Sequence, residues 1–98
     1  DTNGPCWAIF VDSNFTLYCS LNSQHKVITH PLLPSEYKLT RPAVGDGTSG
    51  SSSHQLSSPS GIYVDYNYDL YVADTNNYRI QRFRNLTTVA ETLYSGPE

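Results

Sequence analysis

The sequence contains no methionine, few charges and no long apolar run. Charged residues make up 15% of its 98 residues, against about 25% in ordinary soluble domains. The chain has only six Lys and Arg residues and a net charge of −3. This argues against nucleic-acid binding, which requires clustered cations, and against membrane binding through a polybasic surface of the protein. The longest apolar run, Trp7 to Val11, is far shorter than the ~18 residues of a membrane span, so we expect no span.

Two glycan acceptor triplets and the scarcity of Lys and Glu indicate a secreted protein. The triplets are Asn14-Phe15-Thr16 and Asn85-Leu86-Thr87. We expect N-linked glycans at Asn14 and Asn85; the alternative is that both residues simply lie in polar turns. The start Asp-Thr-Asn and the absence of Met predict a processed product or a piece of a longer polypeptide.

An internal repeat aligns the two halves of the chain at an offset of 53 residues. Ile9-Phe10-Val11-Asp12 aligns with Ile62-Tyr63-Val64-Asp65, and the match continues without a gap over about 22 residues. Each repeat has the pattern of short antiparallel strands separated by turns rich in Asp and Asn. The predicted strands are Ala8–Asp12, Thr16–Ser20, His25–His30 and Tyr37–Thr40, then Gly61–Asp65, Leu70–Ala73, Arg79–Arg84 and Thr87–Thr92.

Both faces of each predicted sheet are apolar. In the second repeat Ile62 and Val64 point to one face and Tyr63 points to the other, because successive side chains of a strand alternate. No segment shows helical periodicity over the ~11 residues that a helix would need. Other sheets must therefore cover both faces, and four-stranded sheets stacked around an axis form a β-propeller.

The second repeat resembles an NHL repeat. The residues that carry the resemblance are Pro59-Ser60-Gly61-Ile62-Tyr63-Val64-Asp65, Leu70-Tyr71-Val72-Ala73-Asp74 and Asn77-Tyr78-Arg79-Ile80-Gln81-Arg82-Phe83. The first repeat, residues 5–30, is a degenerate match, with Trp7-Ala8, Cys19-Ser20-Leu21 and Lys26-Val27 at positions where the family motif differs. The resemblance implies an all-β fold of two four-stranded antiparallel blades of an NHL-type propeller. We expect a degenerate blade at 1–44, a Ser/Gly-rich connection at 45–60 and a second blade at 61–98.

Two blades cannot close a propeller, which takes about four to eight. An isolated pair would leave two apolar sheet faces in water, and such faces favour association. We therefore expect completion by other copies of the chain or by a longer chain. Three copies would supply six blades, and a rotation that does not close would give a filament.

The paired positions Asp74 and Arg79 look structural in NHL-like blades. Arg can hold a carboxylate in a bidentate fork and so tie two strands together. Leu21 and Lys26 occupy the matching places in the first repeat, so no such pair is expected there. The connection Gly45–Ser60 holds seven serines and predicts either a flexible link or, alternatively, an O-glycosylated stretch.

The cysteines Cys6 and Cys19 neither demand nor forbid a disulfide. Cys6 precedes the first predicted strand and Cys19 lies near the end of the second, where antiparallel pairing brings the two together. A bridge within the blade needs Cα atoms within about 7 Å. A bridge to a neighbouring blade and two buried free thiols are the alternatives.

Candidate catalytic and metal motifs are weak. Asp65-Tyr66-Asn67-Tyr68-Asp69 fits half of a calcium loop but lacks its later Gly and Glu, so a hairpin turn is the better interpretation. The three His residues have no zinc-like spacing, and no G-x-S-x-G motif occurs. We expect no enzyme, no cofactor and no metal.

The sequence favours a non-enzymatic extracellular structural glycoprotein that assembles through its blades into a filament or ring. Its partners would be copies of itself and N-linked glycans. The alternative is an excerpt of a closed six-bladed propeller that binds a protein or carbohydrate ligand, and an enzyme of lyase or hydrolase type ranks third. Tyrosines including Tyr63, Tyr71 and Tyr78 could line such a ligand surface, although most should pack between blades.

Overall fold

The computed structural model describes residues 4–33 and 41–96, which form two antiparallel β-sheets. The first sheet has the order β1-β2-β3, and the second has the order β4-β5-β6-β7. The strands are β1 Ala8–Val11, β2 Thr16–Leu21, β3 Lys26–Pro31, β4 Pro59–Val64, β5 Leu70–Asp74, β6 Arg79–Phe83 and β7 Glu91–Ser95. Within the described residues the helical segments are two 3-10 turns, Asn22–Gln24 and Thr75–Asn77. The predicted all-β class is confirmed.

Apart from an irregularity between Pro59 and Ile62 in β4, the two sheets have the same strand register, as the repeat predicts. Ile9 pairs with Cys19 in the first sheet, and Ile62 pairs with Val72 in the second, at positions related by the offset of 53. Both sheets also place a residue with left-handed backbone just before the third strand, His25 with φ 58° and its counterpart Tyr78 with φ 54°. Equivalent sequence thus produces equivalent backbone in both repeats.

One aspartate shapes the first hairpin of each sheet. Oδ1 of Asp12 accepts hydrogen bonds from the backbone N–H groups of Asn14 and Thr16, at 2.9 and 3.0 Å. Asp65 binds the corresponding two N–H groups of its own turn, at 2.9 and 3.1 Å. The second oxygen of each carboxylate accepts a tyrosine hydroxyl, from Tyr18 and Tyr71 respectively. The run that resembles half of a calcium loop therefore forms a hairpin turn.

The fourth strands differ most from the prediction. The predicted strand Tyr37–Thr40 lies outside the described residues, and the first sheet continues past β3 through one isolated bridge between Val27 and Val44. The last strand of the second sheet is β7, so the prediction of Thr87–Thr92 is wrong. Leu86 adopts a left-handed backbone, and Ala90 donates its N–H to Ser53 O, so pairing with β6 begins only at Glu91.

The hydrophobic core lies between the two sheets. One face of the first sheet packs on one face of the second, and a leucine from the connection fills the space between them. Beside this core, where β1 lies next to β4, the ring of Phe10 meets the largely exposed ring of Tyr63 edge to face, with centroids 5.2 Å apart. The fully enclosed members of this core are Tyr18, Val27, Val44, Leu56, Val64, Leu70, Val72 and Phe83.

Candidate binding surfaces

The predicted pair Asp74 and Arg79 sits at the end of the second sheet, where β5 leads through a 3-10 turn into β6. Nε of Arg79 donates to Oδ2 of the fully buried Asp74 at 2.7 Å. The other oxygen, Oδ1, accepts the backbone N–H of Ser57 at 2.6 Å. The pair thus joins the two strands and also holds the connection. The matching positions of the first sheet, Leu21 and Lys26, offer no carboxylate.

The Ser-rich connection is held by specific contacts, which the prediction of a flexible link did not foresee. The guanidinium Nη groups of Arg79 donate to the backbone oxygens of Ser51, Ser52 and Gln55 at 2.8 to 3.1 Å. Nδ2 of Asn77 donates to Gly50 O at 2.8 Å. Sequence patterns miss this order because the acceptors are backbone carbonyls, which every residue possesses.

A buried arginine that the sequence analysis did not single out links the two sheets. Arg41 is 4% exposed, and its Nη2 donates to the backbone oxygens of Phe83 and Arg84 at 2.6 and 2.9 Å. Its Nη1 donates to Tyr68 O, whereas Nε has no hydrogen-bond partner among the described residues. No motif marks this residue, because its partners are carbonyls more than 25 positions away in sequence.

The side chain of Arg41 also belongs to the electrostatic surroundings of Tyr18. Burial, followed by the neighbouring Asp12 carboxylate, raises the pKa of Tyr18 to about 12, and the Arg41 guanidinium acts in the opposite direction. The hydroxyl of Tyr18 donates to Oδ2 of Asp12 at 3.1 Å. The neutral phenol is therefore the form that the folded protein stabilises.

Cys6 and Cys19 form a disulfide within the first sheet, with their Cα atoms 5.2 Å apart. Cys19 lies on β2 and is buried, whereas Cys6 precedes β1 and is exposed. The bridge therefore fastens the segment before β1 to the neighbouring strand. Of the three arrangements left open by the sequence, the structure has the bridge within one sheet.

The two asparagines predicted to accept glycans, Asn14 and Asn85, lie at the same end of the molecule and are exposed. Asn14 belongs to the β1–β2 turn, and this turn meets the β4–β5 turn through a 2.9 Å hydrogen bond between Ser13 Oγ and the Tyr68 hydroxyl. The backbone N–H of Asn85 binds Oδ1 of Asp69, in the same β4–β5 turn, at 2.9 Å. The opposite end carries the two 3-10 turns and the Ser-rich connection.

Each sheet also has an outer face that faces away from the core. The strand register places Ile9, Val11, Leu17, Cys19, Ile28 and His30 on the outer face of the first sheet, and Ile9 and Val11 are 63% and 44% exposed. The outer face of the second sheet contains a shallow apolar groove, to which Tyr63, Tyr71, Ala73 and Ile80 contribute, and the charged Arg82 lies on the same face. Both faces are candidates for protein contacts.

A polar cleft of about 440 Å³ opens at the end of the second sheet opposite the glycan acceptors. It lies between the connection, the 3-10 turn that follows β5, and β7. The lining residues are Ser51, Asn76, Asn77, Tyr78, Arg79, Thr92 and Ser95.

Within residues 4–33 and 41–96, no three His, Cys, Asp or Glu side chains are placed to hold a metal ion. The helical segments of this part of the chain are too short to cross a membrane. Two largely apolar sheet faces and a polar cleft are thus candidate surfaces in the described part of the chain.

Two stacked antiparallel sheets with a shared register define a repeat protein of the β-sheet class. Residues 56–83 match the family model NHL repeat, which confirms the resemblance seen in the second repeat. This match suggests a β-propeller-like protein-binding module at residues 56–83. No curated protein and no solved structure gives a significant match.

Proposed function

We propose that the chain is a non-enzymatic, extracellular interaction unit that assembles with other copies of itself through its two outer sheet faces. The observation that carries this proposal is the relation between those faces and the core. At the offset of 53 residues, Ile9, Val11 and Leu17 of the first outer face correspond to Ile62, Val64 and Leu70, which all face the core.

The second outer face has the converse relation. Tyr63, Tyr71 and Ile80 correspond to Phe10, Tyr18 and Val27, which supply the first sheet's side of the core. Each outer face thus has the residue pattern of one partner in a contact that already exists inside the chain. The outer face of the first sheet in one copy is therefore a fitting partner for the outer face of the second sheet in another.

A contact between two different faces is heterologous. In a pair of copies, one copy still exposes its first outer face and the other its second outer face, so further copies can add at both ends. Three copies would place six blades in a ring if the rotation closes, and a rotation that does not close would give a filament. The match with the NHL repeat supports the propeller-like arrangement, because blades of this class are covered on both faces by other blades.

Extracellular location is supported by the disulfide and by the exposed acceptor residues. Structural disulfides persist in oxidising compartments, and Cys6–Cys19 is one such bridge. N-linked glycans at Asn14 and Asn85 would cover one end of the sheets and leave both outer faces accessible. A structural role in a filament or matrix agrees with this division of the surface.

The proposal is tested by two variants that each remove one face. Ile9→Asp places a charge on the first outer face, and Ala73→Asp places one in the groove of the second. Light scattering after gel filtration, at chain concentrations up to about 100 µM, should show oligomers for the wild type and monomers for each variant alone. An equimolar mixture of the two should form a dimer and nothing larger, because each variant retains one complementary face.

Tyr66→Asp is the matched control, since Tyr66 is almost fully exposed in a turn away from both faces. It should assemble like the wild type, and all three variants should retain the wild-type circular dichroism spectrum. A wild type that stays monomeric at every concentration would overturn self-assembly. That result would favour the alternative, in which further blades of a longer chain cover both faces and the closed propeller binds a protein or glycan ligand.

A further inference from the structure

The polar cleft is chemically unlike the two outer faces, and its lining residues are not among those proposed for assembly. Its walls come from the Ser-rich connection, the turn Thr75–Asn77 and β7, so three separate segments converge on it. Its volume of about 440 Å³ lies within the range of small-molecule sites. The cleft therefore has the dimensions of a ligand site.

Two side chains at the base of the cleft are fixed in place. Nδ2 of Asn77 donates to Gly50 O and to Oδ2 of Asp74, at 2.8 and 2.9 Å, which orients the amide. Arg79 donates four hydrogen bonds, one to Asp74 and three to backbone carbonyls of the connection, and its side chain is 12% exposed. Neither side chain has to lose much rotamer freedom when a ligand binds, which lowers the entropic cost of binding.

The charge of the cleft is compensated. The Asp74 carboxylate neutralises Arg79 from a fully buried position, so it offers no oxygen to a cation. Arg79 in turn has a single N–H left for a ligand, which is too little for bidentate recognition of a phosphate or carboxylate. The cleft is therefore suited to a neutral polar ligand.

The rim supplies an aromatic ring beside several hydroxyl groups. Tyr78 is 50% exposed, while its backbone N–H donates to Thr75 O and its carbonyl accepts the N–H of Gly96 at 2.7 Å. The Thr92 hydroxyl donates to Oε1 of Gln81 at 2.5 Å, which leaves its oxygen to accept a bond from a ligand. Ser51 and Ser95 add two exposed hydroxyls that both donate and accept.

We propose that this cleft binds a neutral saccharide. A sugar ring presents an apolar C–H face, which the exposed side of Tyr78 can cover, together with hydroxyls that match the amide and hydroxyl groups of the cleft. The first sheet has Gln24, His25 and Lys26 at the positions of Asn77, Tyr78 and Arg79, and Leu21 in place of Asp74. The site thus belongs to the second sheet alone.

The test is a titration of the uniformly 15N-labelled chain with glucose, galactose, mannose and N-acetylglucosamine, each followed by amide chemical shifts. It is done in the Ala73→Asp background, so that failure to assemble and failure to bind sugar are separate results. We expect at least one sugar to shift the amides of Ser51, Asn76, Tyr78 and Thr92 with a Kd on the order of millimolar.

Tyr78→Asn keeps a residue type that tolerates the left-handed backbone and removes the ring, so it should raise that Kd about tenfold or more. Tyr66→Asn removes an exposed tyrosine at the opposite end and should leave the Kd unchanged. Absence of shifts with all four sugars, or an unchanged Kd in Tyr78→Asn, would overturn the proposal. So would shifts of the same amides by sodium phosphate in place of the sugars.

Discussion

Nε of Arg79 lies 2.7 Å from Oδ2 of Asp74, a carboxylate with no exposed surface. The remaining nitrogens of Arg79 bind backbone oxygens of the connection, so this ion pair helps to hold the connection on the second sheet. Since the connection also supplies Leu56 to the core, the pair contributes to the packing of both sheets. A pair expected to join two strands therefore organises a much larger part of the molecule.

Removal of the Asp74 charge should destabilise the fold strongly. Asp74→Asn leaves the guanidinium of Arg79 partly buried without a counter-ion, and breaking a buried pair on one side costs about 3–5 kcal/mol. Urea denaturation followed by tyrosine and tryptophan fluorescence measures the free energy of unfolding. The matched control is Glu91→Gln, which removes an exposed partner of Arg82 and Arg84 and should change stability far less. Equal losses in the two variants would contradict the structural role of Asp74.

A second test concerns Arg41, which follows the first sheet in the sequence and donates hydrogen bonds to backbone carbonyls of the second repeat. Arg41→Met preserves the aliphatic part of the side chain but leaves the carbonyls of Tyr68, Phe83 and Arg84 without this donor. Because hydrogen bonds to a charged group contribute about 1.5–3 kcal/mol each, we expect a loss of at least about 3 kcal/mol. Arg84→Met, at an exposed position, is the comparison and should stay close to wild type in the same denaturation experiment.

The repeat made the pairing within each sheet predictable, but contacts between distant segments were not. The offset of 53 residues gave matched turns at Asp12 and Asp65, because hairpin register follows from local turn chemistry. The position of β7 was missed, since it depends on the left-handed backbone at Leu86 and on a hydrogen bond from Ala90 to the connection. Arg41 was missed for the same reason, as no local pattern encodes a bond across the two sheets.

The pKa of Tyr18 predicts a loss of stability at high pH. Its folded value of about 12 lies above the ordinary value of 10.0, so between these values the unfolded chain releases the proton while the folded chain retains it. The contribution of Tyr18 to the free energy of unfolding is complete below pH 10. It decreases by on the order of 2 kcal/mol as the pH rises towards 12. Urea midpoints from pH 9 to 12 measure the slope.

The contribution of Tyr18 is isolated by comparing two phenylalanine variants. Tyr18→Phe removes the titrating group and should flatten the decline above pH 10, although its stability at neutral pH falls because the bond to Asp12 is lost. Tyr66→Phe, at an almost fully exposed tyrosine, should retain the wild-type slope. A slope that persists in Tyr18→Phe would show that other groups cause the alkaline loss.

Glycan attachment can be tested at positions that the repeat relates to one another. When the chain is expressed through a secretory pathway, Asn14→Gln and Asn85→Gln should each lower its mass by one N-linked glycan. Asn67 is the counterpart of Asn14 in the second repeat but is followed two residues later by Asp69 instead of Ser or Thr, so Asn67→Gln should cause no glycan loss. Mass spectrometry before and after enzymatic deglycosylation distinguishes these outcomes.

The placement of the acceptor residues adds a consequence for assembly. Asn14 and Asn85 lie at one end of the sheets, away from the outer faces and from the polar cleft, so the double variant Asn14→Gln/Asn85→Gln should form the same oligomers as the glycosylated chain. It should also keep the same millimolar sugar affinity, since the cleft opens at the opposite end. Loss of assembly on removal of the glycans would indicate that they contribute to the contact between copies, in conflict with an interface made of the two apolar sheet faces.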